Sequence, residues 1–383
     1  MIRAIHIQNL KCFDSLSIEL APLTILSGFN SAGKSTTLQA LLLLSQTLSG
    51  NHLGPSLDLN GALVTLGTPA DVLGTAGAAS PLTLGLGFGE GREVNWSFNL
   101  SGDRRFLKAN ELLIQNGASV LRLDGATLTG LFPREQDELA TIASVELHRL
   151  VYLSAARGLQ SDIFPIPEDG DLEAGNVGPL GQFAAWWLHN CGDAEIATSR
   201  RCPGSQNVTL RSQVNAWAAH LFSQAELNSV PIPKTNLIRL ELKTGLTSDW
   251  SRPANNGFGV SYAFPILVAG LASPTGRTVV IDSPEAHLHP RGQSRMGCYL
   301  AQMASSGIQL VVETHSDHLL NGVRVALKNG IVSPHDVAIY FFSGREGAPV
   351  VRLSVSGAGD ISDWPEGFFD QSEQDLASLA GWS

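Results

Sequence analysis

Hydrophobic and polar positions alternate at the start of the chain, in Ile5-His6-Ile7 and again in Leu16-Ser17-Ile18-Glu19-Leu20. A short apolar run, Leu23-Thr24-Ile25-Leu26, follows. Alternation with a period of two, broken by turn residues, is the strand pattern, so residues 1–27 are expected to form three successive strands. The pattern then changes. Thr37-Leu38-Gln39-Ala40-Leu41-Leu42-Leu43-Leu44 consists largely of helix formers, which predicts a helix from Lys34 to about Leu48, stopped by Gly50. Residues 51–80, rich in Gly, Pro, Ala and Thr, read as loop with one short strand near Leu63-Val64-Thr65-Leu66.

From residue 81 to 125 short apolar stretches alternate with turn signals: Leu82–Phe88, Glu93–Leu100, Leu112–Gln115 and Val120–Leu123. The Asn116-Gly117 pair between two of them is a hairpin signal. This section predicts an antiparallel lobe over 81–150, ambiguous beyond residue 125 and closing on a buried strand at Leu150-Val151-Tyr152-Leu153. A polar loop follows to about Gly178. Then come two stretches with Trp and Leu at helical spacing, Gln182–His189 and Leu210–Ala225. They predict a helical insertion over 160–235 whose tryptophans belong to the core. Leu237–Leu242 is strand again, and from Gly257 onward helix and strand alternate, the pattern of a parallel sheet. The expected fold class is α/β, as one domain over 1–383. A nucleotide-binding core would comprise 1–50 and 250–345, with a C-terminal extension over 346–383.

The strongest chemical signal lies between the third strand and the first helix. Gly28-Phe29-Asn30-Ser31-Ala32-Gly33-Lys34-Ser35-Thr36 fits G-x-x-x-x-G-K-[ST], in the strand-to-helix context that this phosphate loop requires. Glycines let the backbone turn its N–H groups onto phosphate oxygens, and the helix N-terminus adds partial positive charge there. Lys34 would face the terminal phosphates, and the Ser35 hydroxyl would ligate Mg²⁺. In the second half, Thr278-Val279-Val280-Ile281-Asp282 is an apolar run ending in an acid, as a central parallel strand reads when it delivers a carboxylate to the sheet edge. Asp282 is the candidate metal acid. A further run, Ile308–Glu313, leads into Thr314-His315-Ser316-Asp317. Asn255-Asn256-Gly257-Phe258-Gly259-Val260-Ser261 opens a helix with two glycines and a serine, a second candidate anion nest.

Composition narrows the classes. Hydrophobic residues make up 43% of the 383 and charged residues 16%, enough for a large buried core and unlike a disordered chain. No run approaches the ~18 apolar residues of a membrane span, and the first residues lack the apolar block of a signal peptide. Four scattered cysteines (Cys12, Cys191, Cys202, Cys298) form no C-x-x-C pair, which reads as reduced thiols in the cytoplasm. His287-x-His289 has no second cluster to complete a zinc site. A net charge of −10 argues against direct, strong DNA binding by the bare chain; DNA contact is left to a dimer groove or a partner. Arg104-Arg105 and Arg200-Arg201 read as surface charge.

Taken in order, the Gly28–Ser35 loop, the Gly257–Ser261 turn, the Asp282 strand and Glu313-Thr314-His315-Ser316 resemble the ABC-type ATPase heads of SMC, RecF and OLD proteins. A nearer resemblance is to a bacterial, defence-associated AAA/ABC ATPase group with an ENPEAHLHP-like acid motif and an ETHSDH-like histidine motif. Its C-terminal signature is similar to Asp363-Trp364-Pro365-Glu366-Gly367-Phe368-Phe369-Asp370. The resemblance covers about the first 65 residues, Tyr152–Arg157 and most of 250–370. It implies a homodimer of heads packed head to tail around ATP and Mg²⁺. Gly28, Asn30, Ser31, Ala32, Gly33, Lys34, Ser35 and Thr36 would hold one chain's nucleotide, while Gly257, Gly259 and Ser261 act on the partner's. His315 resembles the switch histidine.

The chain lacks the heptads of an SMC arm and the acidic cluster of an OLD nuclease. It also departs from the heads at one position: Ser283 follows the metal acid where a catalytic glutamate usually stands, which leaves Glu285 or His315 to position the attacking water. The expected function is a slow ATPase, with Lys34, Glu285 and His315 as catalytic residues. It would gate or assemble an effector, such as a nuclease, in an anti-phage defence module. A RecF-like DNA-repair ATPase and a non-hydrolysing ATP-dependent scaffold are the alternatives. Phe13 is a candidate stacking partner for the base, or packing at a strand turn.

Overall fold

A computed structural model describes the chain except for residues 51–53, 158–160, 169–172, 223, 246–248, 256–257, 345–349, 363–364, 366, 368–369 and 381–383, and the side chains of Ala254, Phe258, Gln371, Ser372 and Glu373. The first half runs β1 (Ala4–Leu10), β2 (Phe13–Glu19), β3 (Leu23–Gly28), α1 (Lys34–Ser49), α2 (Pro69–Val72), β4 (Leu82–Gly87), β5 (Arg92–Leu100), β6 (Leu107–Asn116), β7 (Ser119–Asp124), β8 (Leu128–Thr129), β9 (Phe132–Pro133), α3 (Glu138–His148) and β10 (Val151–Leu153). The second runs β11 (Ile163–Pro165), α4 (Ala184–Asn190), α5 (Leu210–Phe222), β12 (Ala225–Pro231), β13 (Leu237–Thr244), α6 (Phe258–Ala272), β14 (Thr278–Asp282), α7 (Pro290–Ser305), β15 (Gln309–Glu313), α8 (Asp317–Lys328), β16 (Val337–Phe342), β17 (Val350–Leu353) and α9 (Gln371–Leu379).

The central sheet has the order β10-β14-β15-β3-β16-β17; all its neighbours are parallel except β17. Its strands are near-continuous apolar runs because both faces are covered. Side-chain alternation divides them between two cores. Leu23, Ile25, Val279, Ile281, Leu310 and Val312 face α4–α8, while Leu26, Val280 and Val311 face α1, α3 and the second sheet. Consequently α1 and α6 pack on opposite faces of one sheet.

The second sheet, β2-β1-β4-β5-β6-β7, is antiparallel throughout. Its first two strands come from the segment assigned above to the nucleotide core: β1 pairs with β4, with Ala4 opposite Gly87 and Gln8 opposite Thr83, and β2 pairs with β1 at the sheet edge. Local alternation predicts such strands but carries no information on a distant pairing partner. Within 81–150, the ambiguous end is helix α3. The Asp137 carboxylate caps it by accepting from the Ala140 N–H at 2.8 Å, and Leu139, Ala140, Ala143 and Leu147 bury one face. The expected helical insertion holds α4 and α5 but also β11 and β12, which flank the strand expected at 237–242, β13, in a small sheet. The strand expected at residues 63–66 is reduced to an isolated bridge between Asn60 and Thr65.

Trp187 and Trp217 are 7% and 1% exposed, core residues as expected. The paired arginines at 200–201 are not both surface charge. Arg200 is 6% exposed, and its guanidinium donates to the Ser273 carbonyl and to the Ser306 hydroxyl at 3.0 Å, tying the α4–α5 layer to the end of α6.

Candidate functional site

The phosphate loop joins β3 to α1 at the carboxyl edge of the central sheet, where open α/β sheets place their ligands. Gly28 has φ +132°, and a Cβ there would lie 2.2 Å from the Phe342 carbonyl oxygen of β16. Gly33, with φ +104°, caps α1, and a Cβ there would lie 2.2 Å from the Phe13 ring. Phe13 is 3% exposed, so its ring packs beneath the loop and does not offer a face to a base. Ser31 also has positive φ, at +62°. Asn30 and Ser31 are exposed, whereas Ala32 and Thr36 are buried. The N-cap residue of α1 is Gly33, which has no side chain to cap it, and the first turn carries no acid, so the partial positive charge of the helix N-terminus is left to the loop.

Lys34 is 3% exposed and folds back over the loop, its Nζ donating to the carbonyls of Gly28 at 3.1 Å and Phe29 at 2.8 Å. Burial lowers its pKa, and the charges of Glu313 and Asp282 oppose that. The Ser35 hydroxyl donates to Glu313 Oε1 at 2.9 Å.

Two adjacent parallel strands deliver acids to this edge, because β14 and β15 pair with Asp282 beside Glu313. The chain then turns sharply at Ser283, φ +50°. Its hydroxyl donates to Asp282 Oδ1 at 2.8 Å, so the serine that stands where a glutamate was expected braces Asp282. Glu285, beyond Pro284, is brought to His315: Glu285 Oε1 accepts the His315 N–H at 2.8 Å, while Oε2 is buried without a partner. His315 lies on the exposed rim, its imidazole pKa lowered by partial desolvation and by the Lys34 charge. Glu313 is 4% exposed; desolvation and the negative charge of Asp282 raise its carboxyl to about 7.

Of the residues expected in the site, the structure gathers Lys34, Ser35, Asp282, Glu285 and His315. It does not bring Gly259 and Ser261 to them. These two lie in the first turn of α6, on the face opposite α1; a Cβ at Gly259 would meet the His287 carbonyl oxygen at 2.9 Å, and Ser261 is 9% exposed. Gly257 lies outside the described residues. His287, the first histidine of His287-x-His289, packs against the Tyr262 ring at 4.3 Å, and His289 caps α7.

Two residues of the site escaped the sequence reading. Glu313 had a signal, since its strand repeats the apolar-run-then-acid pattern of the Asp282 strand. Arg157 ends the Tyr152–Arg157 stretch of the resemblance, which gave it no role. It is fully buried and donates to four carbonyls: Ser154 at 2.9 Å, Tyr262 at 3.2 Å, Ser283 at 2.6 Å, and Asp282. One side chain thus fixes the Asp282–Ser283 turn to the first turns of α6. Burial lowers its pKa to about 10.

The donors that converge here suit a magnesium–nucleotide pair. They comprise hard oxygens at Ser35, Asp282 and Glu313, an uncapped helix N-terminus, a lysine, and two buried carboxylate oxygens without partners. Among the described residues no group of three or more His, Cys, Asp or Glu side chains could hold a metal ion. A Mg²⁺ ion would therefore share its ligands with phosphate and water, as this ion usually does.

Comparison with known proteins bears on the fold. Residues 1–102 match a family model described as an AAA ATPase domain, and residues 220–321 match one described as "AAA domain, putative AbiEii toxin, Type IV TA system". Residues 332–379 match a model described as a protein of unknown function, DUF3696. No curated protein matches the chain. Among solved structures, an SMC head bound to the C-winged helix domain of ScpA shares 14% identity at a TM-score of 0.52, over 93% of this chain and 98% of that one. The SMC head with an extended coiled coil, bound to the C-terminal domain of ScpA, from Pyrococcus furiosus shares 13% identity at a TM-score of 0.54, over 99% of both chains. The fold is that of an ABC-type ATPase head, a P-loop NTPase.

Proposed function

We propose that this chain is an ATPase that hydrolyses ATP slowly with Mg²⁺ and dimerises head to tail around two nucleotides. In the cytoplasm of a bacterium it gates or assembles an effector, a nuclease of an anti-phage defence system. The observation that carries the hydrolytic part is the meeting of Lys34, Ser35, Asp282, Glu313 and the Glu285–His315 pair at one sheet edge. Bound Mg²⁺ would offset the phosphate charge and orient the terminal phosphoryl group. Lys34 exchanges the carbonyls of Gly28 and Phe29 for a phosphate oxygen, and the α1 N-terminus holds negative charge. Glu285, fixed by the His315 N–H, orients the attacking water and takes its proton through its free oxygen. Ser283 keeps Asp282 in place. A base held through a loop beyond a proline, in place of the residue next to the metal acid, accounts for slow turnover.

The head-to-tail dimer is supported by the placement of α1 and α6 on opposite sheet faces. A Gly259–Ser261 turn on the face opposite its own phosphate-loop helix would complete a second copy's site. The AbiEii-type match over 220–321 supports the defence setting, and the ScpA-bound SMC heads support a head that works with a protein partner. Among the described residues no helix is long and apolar enough to cross a membrane.

The test is Mg²⁺-dependent phosphate release together with solution mass, for wild type, Lys34→Ala and Glu285→Gln. The expected result is loss of turnover in both, with an ATP-trapped dimer only for Glu285→Gln. Ser283 favours a second reading, a non-hydrolysing ATP-dependent scaffold. A wild type that binds ATP and dimerises, yet releases no more phosphate than Lys34→Ala, would establish that reading and overturn the first.

A further inference from the structure

The roles assigned to Ser35 and Asp282 leave Glu313 without one, although it stands between them. It ends β15, the strand between β14 and β3, so it lies one strand nearer the phosphate loop than its register partner Asp282. The Ser35 hydroxyl donates to Glu313 Oε1 at 2.9 Å, while Asp282 Oδ1 is taken by the Ser283 hydroxyl at 2.8 Å. Glu313 is 4% exposed, and its second oxygen, Oε2, is buried without a partner. An unpaired buried carboxylate oxygen is costly. The neighbouring groups leave that oxygen without a hydrogen-bond donor: Asp282 and Glu285 add negative charge, and Lys34, whose charge favours the carboxylate, spends its hydrogen bonds on two loop carbonyls.

We propose that Glu313 is a second carboxylate of the divalent-cation site, holding with Ser35 and Asp282 the ion that accompanies a nucleoside triphosphate. Two carboxylates and a hydroxyl, with remaining positions left to phosphate oxygens and water, are the hard, incomplete ligand set that Mg²⁺ favours. The inference rests on the nucleotide reading above. Its rival is a purely structural role, in which Glu313 accepts the Ser35 hydroxyl and pins the start of α1.

Glu313→Gln separates the two, because glutamine keeps the size and an oxygen acceptor for Ser35 but loses the charge. The probes are a fluorescent non-hydrolysable ATP analogue, titrated in EDTA and in Mg²⁺, and Mn²⁺ followed by electron paramagnetic resonance. Metal-free analogue binding should match wild type. The gain conferred by Mg²⁺, and Mn²⁺ affinity with it, should fall about 10-fold or more, the order for losing a metal-site partner. Glu313→Asp, which keeps the charge on a shorter stem, should recover part of that gain and covers the case in which the glutamine variant folds poorly. An equal Mg²⁺ gain in wild type and Glu313→Gln, or an aspartate variant no better than the glutamine one, overturns the proposal. A wild type with no Mg²⁺-dependent analogue binding overturns the nucleotide reading itself, and this proposal falls with it.

Discussion

Replacing Arg157 sets two large terms against each other. Burial holds its guanidinium at about 10, below the ordinary 12.5. That difference corresponds to about 3 kcal/mol against the charged form in the fold, which Arg157→Met would recover. Against it stand the four hydrogen bonds from the guanidinium to the carbonyls of Ser154, Tyr262, Asp282 and Ser283, of which Ser154 and Ser283 keep a backbone donor, the N–H of residue 157 and of Ala286. A hydrogen bond to a charged group is worth about 1.5–3 kcal/mol, so the loss of four outweighs the recovered desolvation without every carbonyl being left unpaired. Arg157→Met should therefore lower stability by about 3 kcal/mol, read from urea denaturation with an unchanged m-value. Arg157→Lys should fall between, because one ammonium cannot span acceptors on the β10 end, the Ser283 turn and α6. The same variants should weaken Mg²⁺-dependent binding of an ATP analogue by about 10-fold, since the turn that carries Asp282 loses its brace, and leave metal-free binding unchanged. A methionine variant within about 1 kcal/mol of wild type, with the same Mg²⁺ dependence, would refute the assignment of Arg157 as the tie between the turn and α6.

Glu313 makes metal-free stability depend on pH. Its carboxyl is raised from 4.5 to about 7 by burial and by Asp282, so between those values the native chain binds more protons than the unfolded one, and stability falls as pH rises from about 5 to about 8. Denaturation in EDTA should show this fall in wild type and not in Glu313→Gln; parallel curves would contradict it. Arg200→Ala, at the far brace between α5 and the end of α6, should cost about 2–4 kcal/mol by orphaning the buried Ser273 carbonyl. It should leave analogue affinity and phosphate release of the folded enzyme unchanged, and a change in either would show that the two braces act together.

What was legible in the sequence had a local cause. The Gly28–Thr36 loop, its strand and its helix are dictated by neighbours in sequence: glycines where φ is positive or another strand passes within contact, and helix formers after Lys34. The apolar strand leading to Asp282 announced its own burial. The features that were not legible depend on contacts between distant segments. β1 and β2 alternate as any exposed-edge strands would; only the pairing of β1 with β4 places them in the lobe. Arg200 and Arg201 are adjacent and chemically identical, yet one is buried against Ser273 and the other bonds the Ile196 carbonyl and Glu195 near the surface.

The same distinction explains the site. Ser283 read as a defect because the sequence shows only that a glutamate is missing beside the metal acid. In three dimensions its left-handed backbone, its hydroxyl on Asp282 and its carbonyl on Arg157 make it the hinge of the turn that carries Glu285 to the His315 N–H. Parallel register then adds what no single motif contains. Aligning Asp282 with Glu313, and Glu313 with Leu26 of the strand before the loop, sets the two carboxyl groups on adjacent strand ends, with Glu313 against the Ser35 hydroxyl. Strand order therefore determines the chemistry of this site as much as the motifs do: Asp282 recognised alone is one of the two carboxyl groups that neighbouring strand ends bring to this edge.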